Sequence, residues 1–434
     1  MKRFVIESLI NWKNNPNRKP LILKGVRQCG KTYILKEFGK EHYENVAYFN
    51  FEEDKALSRV FDNDFDIERI IFELGVISKS KIEQEKTLII FDEVQECSRA
   101  LTSLKYFNEN GSGYHLACAG SLLGISLNKD NSFPVGKVDF INLYPMSFYE
   151  FLIATGNENL YDYLKQFNKR TISEAISPKI ENLLKQYYVV GGMPEVVMSW
   201  INNGDINEVE RIQQQILSSY ELDFVKHANI RDFPKLSAIW KSIPSQLARP
   251  NNKFMFSQVK QGSRAKDLED ALIWLIDAGL IYKVSKVEKP NIPLSSYADY
   301  SFFKIYLSDV GLLRKLANVP PEVVLDQSNI YSEFKGAMAE NFVLNELVKS
   351  LEQIPFYWTS DNSAEVDFIV QIASNVVPIE VKSEKNVKAK SLGVFIDKYQ
   401  PKYAVKTSLK SEIGGNKITQ IPLYSISGLI DYIK

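Results

Sequence analysis

The chain has 434 residues, 45% hydrophobic and 24% charged, the profile of a globular protein long enough for roughly two to four domains. Lys+Arg and Asp+Glu are both 53, so the formal net charge is +0. That excludes a global basic excess as the mark of a nucleic-acid partner, which a local patch would have to recognise. Cys29, Cys97 and Cys118 show no C-x-x-C spacing, which argues against a zinc knuckle or disulfide framework. The scatter of His42, His115 and His227 argues against a His-rich metal site or a Ser/His/Asp triad. The N-terminus is too charged for a signal peptide, and apolar runs such as TLIIF are only of strand length. The expectation is a cytoplasmic chain with no membrane span.

In chain order, strands are expected at Pro20–Lys24, Val46–Asn50, Thr87–Phe91 and Tyr114–Gly120. Helices are expected between them, at Lys31–Phe38, Ile67–Ser78 and Ala100–Asn110. Strand–helix alternation with continuously apolar strands predicts a mostly parallel sheet, covered on both faces. This α/β domain is expected over residues 1–155, ending near the turn-like Leu143–Ser147.

Within it, Gly25-Val26-Arg27-Gln28-Cys29-Gly30-Lys31-Thr32 fits G-x-x-x-x-G-K-[ST], with an apolar strand before it and a helical stretch after it. Glycines let the backbone curl so that successive N–H groups face phosphates, and the helix N-terminus adds its dipole. Lys31 would reach the β/γ-phosphates of ATP, and the Thr32 hydroxyl would coordinate Mg²⁺. Cys29 reads as a space-filling residue. The strand Thr87–Phe91 then runs into Asp92 and Glu93. Asp92 would hold Mg²⁺, usually through water, and Glu93 would polarise the attacking water. A third apolar strand ends at Ser121, which fits either a γ-phosphate sensor or a turn.

Residues 156–320 read as a mainly helical middle domain. Phe254–Lys260, a turn at Gly262-Ser263, a helix over Lys266–Gly279 and a β-rich run at Leu280–Ser285 outline a winged helix. Its second helix carries Arg264 and Lys266 but also Asp267, Glu269, Asp270 and Asp277. These acids favour packing over base reading.

Residues 325–434 form the last expected domain. It has a helix at Lys335–Lys349 and strands at Phe356–Thr359, Glu365–Gln371, Val376–Lys382 and Tyr403–Lys406. Strand periodicity sets Glu380 and Lys382 on one face, and a tight loop at Ala373–Asn375 would bring Asp367 close to Glu380. Together with Glu340 on the preceding helix, this acid–acid–E-x-K set has the order of a PD-(D/E)XK nuclease. There, acids hold Mg²⁺ and the lysine helps activate water. An inactive fold with Glu380 and Lys382 as a surface ion pair is the other reading. Residues 381–417 hold nine lysines against Glu384, Asp397 and Glu412, a local excess that suits a phosphate backbone or a solvated face.

With GVRQCGKT, IIFDEVQE, AGSLL, LYPMSFYEF, GGMPEVV, KIYLSDVGLL, GAMAENFVLNEL, EVDFIV and PIEVKS in this order, the chain resembles a prokaryotic AAA-like ATPase family. That family joins a P-loop domain, a winged helix and a C-terminal restriction-endonuclease-like domain of undefined role. The resemblance implies ATP binding at Gly25–Thr32, Walker B acids at Asp92 and Glu93, and nuclease-like positions at Glu340, Asp367, Glu380 and Lys382. One departure is Gly136-Lys137-Val138, where the family often has Gly-Arg-Val; a lysine lacks the planar fork of an arginine finger. Sites of the AAA type are often completed across a subunit boundary, so a homo-oligomer is among the expectations. Three functions follow. One is a Mg²⁺-dependent ATPase that couples nucleotide state to a nuclease-like, DNA-contacting domain. The second is a nucleotide-gated protein-docking module with an inactive nuclease fold. The third is an ATP-dependent DNA nuclease.

Overall fold

The apolar runs of the first 150 residues assemble into one parallel sheet. In the computed structural model, β1 (Leu21–Lys24), β2 (Asn45–Asn50), β3 (Thr87–Asp92), β4 (His115–Ala119) and β5 (Asp139–Asn142) lie in the order β2-β3-β4-β1-β5. All four neighbouring pairs are parallel. The structure describes residues 1–120, 134–166, 171–228, 232–249, 253–326, 332–360, 364–385, 388–415 and 417–433. Every residue of β3 and β4 is buried, as strands of a doubly covered sheet are. Local chemistry sets the covering helices. Asp66 caps the helix Ile67–Ser78 by accepting from the N–H of Arg69 at 3.0 Å. Phe91 packs edge-on against Phe51 and Phe61, with centroids 5.3 and 5.8 Å apart.

Residues 2–144 with 277–279 form one compact unit; residues 145–276 with 280–434 form the other. The second unit opens with a capping box, in which Ser147 accepts from the Glu150 N–H and Glu150 accepts from the Ser147 N–H, starting the helix Phe148–Ala154. Helices follow, including Ile206–His227 and Phe233–Leu247, whose Trp240 is fully buried against Tyr220 and Phe224.

The second sheet has seven strands: β6 (Ile281–Val287), β7 (Ala298–Leu307), β8 (Phe356–Thr359), β9 (Glu365–Ile372), β10 (Asn375–Val381), β11 (Val405–Ser408) and β12 (Thr419–Pro422). Their order is β12-β11-β10-β9-β8-β6-β7. The helix–turn–helix–strand outline expected near residues 254–285 is met by helices Phe256–Val259 and Ala265–Asp277, followed by β6 and β7. The β6–β7 hairpin does not stand apart as a wing. β6 runs parallel to β8 through Lys286–Tyr357 and Val287–Trp358, so the expected middle and last domains share a sheet. The outline lay in local periodicity, whereas the pairing joins residues about 70 positions apart and leaves no local sequence mark. No helix among the described residues is long and apolar enough to cross a membrane.

Candidate active sites

The first site forms where β1 ends. Gly25 leaves no room for a side chain, since a Cβ there would meet the Leu143 carbonyl oxygen at 2.2 Å. Gly30, at φ 94°, is the left-handed residue from which the helix Lys31–His42 departs. The Lys31 ammonium donates back across the loop to the carbonyls of Gly25 (2.8 Å) and Val26 (3.0 Å). Phosphate oxygens in the loop would compete for these donors. Arg3 braces the far side, donating to the carbonyls of Cys29 (3.3 Å) and Tyr144 (2.6 Å). Cys29 itself is a buried free thiol.

Sheet order brings the acids to this loop. β4 lies between β1 and β3, yet the Thr32 hydroxyl donates to Asp92 Oδ2 at 2.8 Å. The Tyr48 hydroxyl, from the end of β2, donates to the same oxygen at 2.8 Å. Burial, then the bond to Asp92, pushes the Tyr48 phenol well above its ordinary range, so it remains a donor. Glu93 sits in the left-handed region at φ 48°, where the chain turns sharply after β3, and Gln95 donates to its Oε2 at 2.6 Å. A hydroxyl and a carboxylate oxygen meeting beside a glycine loop are hard donors of the kind Mg²⁺ takes, so these residues fit Mg²⁺ with a nucleotide. Ser121 lies outside the described residues. Lys137 is held by Glu109 of its own unit at 2.9 Å.

A glycine loop after β1, an acid ending β3, and a strand between them form the arrangement of a P-loop nucleotide-binding domain. Residues 17–152 match the family model described as AAA domain. Residues 181–323 and 335–426 match models each described as a domain of unknown function, DUF8612 and DUF4143. The chain is similar to the uncharacterized protein MJ1544 of Methanocaldococcus jannaschii, 23% identical over 400 residues, covering 89% of this chain and 79% of that one. It is also similar to the uncharacterized protein Rv2008c of Mycobacterium tuberculosis, 32% identical over 80 residues, or 18% of this chain and 17% of that one. Among solved structures, the Walker-type ATPase paby2304 of Pyrococcus abyssi aligns with a TM-score of 0.45 and 14% identity, covering 72% of this chain and 94% of that one.

The second site lies in the second unit. β9 and β10 form the expected hairpin, turning at Ala373 (φ 51°) with Ile379 opposite Phe368, so the next pair along is Glu380 and Asp367. Asp367 accepts from the Val381 N–H at 2.7 Å, and Lys382 pairs with Glu380 at 2.7 Å. This ion pair is not a surface pair: Glu380 is 3% exposed. Glu340 faces the group from the helix Ser332–Leu351. That helix is tied to β7 by Asn341, which accepts from the Leu307 N–H (2.8 Å) and donates to its carbonyl (3.0 Å).

Three members carry no signal of a role in the sequence. Lys304 and Tyr306, alternate residues of β7, share the face turned to the acids; Glu365 precedes Asp367 on the same face of β9. A register shift at Ser285/Lys286 bends the β6–β7 pair where its pairing with β8 begins. From β7, Lys304 reaches Glu365 at 2.5 Å and Glu340 at 3.9 Å, and the Tyr306 hydroxyl donates to Glu340 at 3.0 Å. Burial pushes the Glu340 carboxyl up to about 7; Lys304 opposes this, and Asp367 and Glu365 add to it. Burial and then Asp367 push Glu380 up to about 7 against Lys382. For Lys304, burial alone would lower the ammonium, but Glu340, Glu365 and Asp367 together raise it, so it is held charged. Lys382 is raised in the same way, chiefly by Asp367 and Glu380.

Glu380 Oε2 is buried without a hydrogen-bond partner, beside Asp367. Two carboxylates with an orphaned buried oxygen fit one hard divalent cation. Among the described residues, no three acids, histidines or cysteines are grouped to hold a metal. A pocket of about 420 Å³ in the same unit is lined by Lys185, Lys335 and Lys385 and also by Glu181 and Glu384, with Ala339 and Ser383 the chain neighbours of Glu340 and Lys382. The basic run is partly neutralised: Lys385 pairs with Glu181 at 2.7 Å, and Lys410 with Glu412.

Proposed function

We propose that the chain is a Mg²⁺-dependent ATPase whose nucleotide state governs a nuclease-like, DNA-contacting site in the second unit. The observation that carries the first half is the meeting of Thr32 and Asp92 beside the Lys31 ammonium. Lys31 would hold the β- and γ-phosphates, and the loop N–H groups would orient them for in-line attack. Thr32 and Asp92 would hold Mg²⁺, which supplies charge neutralisation when bound. Glu93 would orient and polarise the attacking water. The second half rests on the gathering of the buried Asp367 and Glu380 with the part-buried Lys382.

The test is ATP hydrolysis with Mg²⁺, with and without double- and single-stranded DNA, alongside Glu93→Gln. A DNA-raised rate that Glu93→Gln abolishes supports both halves. A second reading, a nucleotide-gated module that docks protein through an inactive nuclease fold, is favoured by Lys304 holding Glu340 and Glu365. It predicts a rate indifferent to DNA.

A further inference from the structure

The second unit buries the Lys304 side chain. This side chain is 0% exposed, comes from a hairpin that the acid–acid–E-x-K pattern does not include, and ends among carboxylates. A buried ammonium is costly unless paired, and its companions here are Glu365 and Glu340. The cluster contains four carboxylates, Glu340, Glu365, Asp367 and Glu380, and two ammonium groups, Lys304 and Lys382. Lys304 pairs with Glu365 and approaches Glu340, whereas Lys382 pairs with Glu380, whose Oε2 is unpartnered, and Asp367 stands next in register to Glu380.

We propose that Lys304 is a built-in cation that occupies the ground between Glu340 and Glu365 and limits the cluster to a single divalent ion, at Asp367 and Glu380. The proposal rests on the nuclease-like reading of this site. The ammonium satisfies charge that a second ion would otherwise have to neutralise, and its reach from β7 keeps that ion out. Lys304 is thus a specificity-determining and positioning residue: it sets the number of metal ions and the place of Glu340. Tyr306 assists by donating to Glu340 on the same face.

The experiment counts Mn²⁺ ions bound by the full chain, without nucleotide, by electron paramagnetic resonance. Asp92→Asn in every sample silences the P-loop carboxylate. Lys304→Met should bind an additional Mn²⁺ ion compared with its parent, and Glu340→Gln on top should remove that extra ion. Lys304→Arg, which keeps the charge, should bind as the parent does. Equal Mn²⁺ binding in the parent and Lys304→Met would overturn the proposal. Asp367→Asn in the parent addresses the underlying reading: if it removes no Mn²⁺, the nuclease-like metal site fails and the proposal with it, whereas loss of Mn²⁺ there together with equal binding in the parent and Lys304→Met overturns the role of Lys304 alone. Because Lys304→Met removes the cation between two part-buried carboxylates, its thermal unfolding is followed in EDTA and in Mn²⁺. If it unfolds in EDTA, recovery of the fold in Mn²⁺ supports the proposal, and failure to recover overturns it.

Discussion

Asp309 and Gly192, 117 positions apart in the chain, are joined by a 2.6 Å hydrogen bond from the Gly192 N–H to a fully buried carboxylate. The other oxygen of Asp309 accepts from the Leu312 N–H at 2.9 Å, capping the helix Val310–Leu316. Around this knot the backbone is packed to contact. A Cβ on Gly192 would meet the Met146 carbonyl oxygen at 2.2 Å, and one on Gly191 would meet Asp309 Oδ1 at 2.3 Å. Met146, Gly191, Gly192 and Asp309 therefore meet at one place in the second unit. Asp309→Ala leaves two buried donors without an acceptor, at about 1–3 kcal/mol each. Gly192→Ala should be worse, because the obstructing atom is backbone. Urea denaturation checks both; an unchanged midpoint would remove the knot from the account.

At the P-loop, Lys31→Ala removes the side-chain charge that bridges the loop carbonyls of Gly25 and Val26. ATP turnover should fall by about 10²–10³-fold, as when a preorganised charge-stabilising donor is lost. Steady-state phosphate release at saturating ATP reads the effect. Turnover at the wild-type rate would move catalysis away from this loop.

His115 gives the first unit a pH signature. Its Nδ1 lies 2.6 Å from the Tyr43 hydroxyl, and burial, with Arg18 and Lys13 adding, pushes the imidazole down to about 4. The unfolded chain protonates near the ordinary value of about 6.5. The folded state thus binds fewer protons between those values, and its stabilisation is full above pH ~6.5 and lost progressively as pH falls through about 4. The melting temperature of the first unit should drop on acidification across this window. His115→Phe should flatten that slope; an unaltered slope would assign the acid sensitivity to other groups.

The carboxylate cluster makes a prediction about chemistry. If the second unit cuts DNA, Mg²⁺-dependent cleavage should fall by about 10²-fold or more in both Asp367→Ala and Lys382→Ala, the scale of losing acid–base assistance. Cleavage assayed on a supercoiled plasmid decides this. Persistence in both variants would locate the activity elsewhere.

The P-loop was legible because its parts are local. A glycine loop needs Gly25 and Gly30 in place, and β3 announces Asp92 and Glu93 by a run of buried apolar residues that stops at charge. The β9–β10 hairpin was legible for the same reason, through alternation and a short turn. Tyr48 was missed because its bond to Asp92 depends on β2 lying beside β3, a pairing that no spacing records. Lys304 was missed for a similar reason: its meeting with Glu365 brings together β7 and β9, elements about 60 positions apart, and no local spacing records it.

The most direct measurement compares ATP hydrolysis and ATP binding in wild type and Glu93→Gln. The account predicts Mg²⁺-dependent hydrolysis by the wild type, a fall of about 10²–10⁴-fold in Glu93→Gln, and ATP binding that survives the change, since Glu93 acts on water and not on the phosphates. Hydrolysis by Glu93→Gln at the wild-type rate would contradict it.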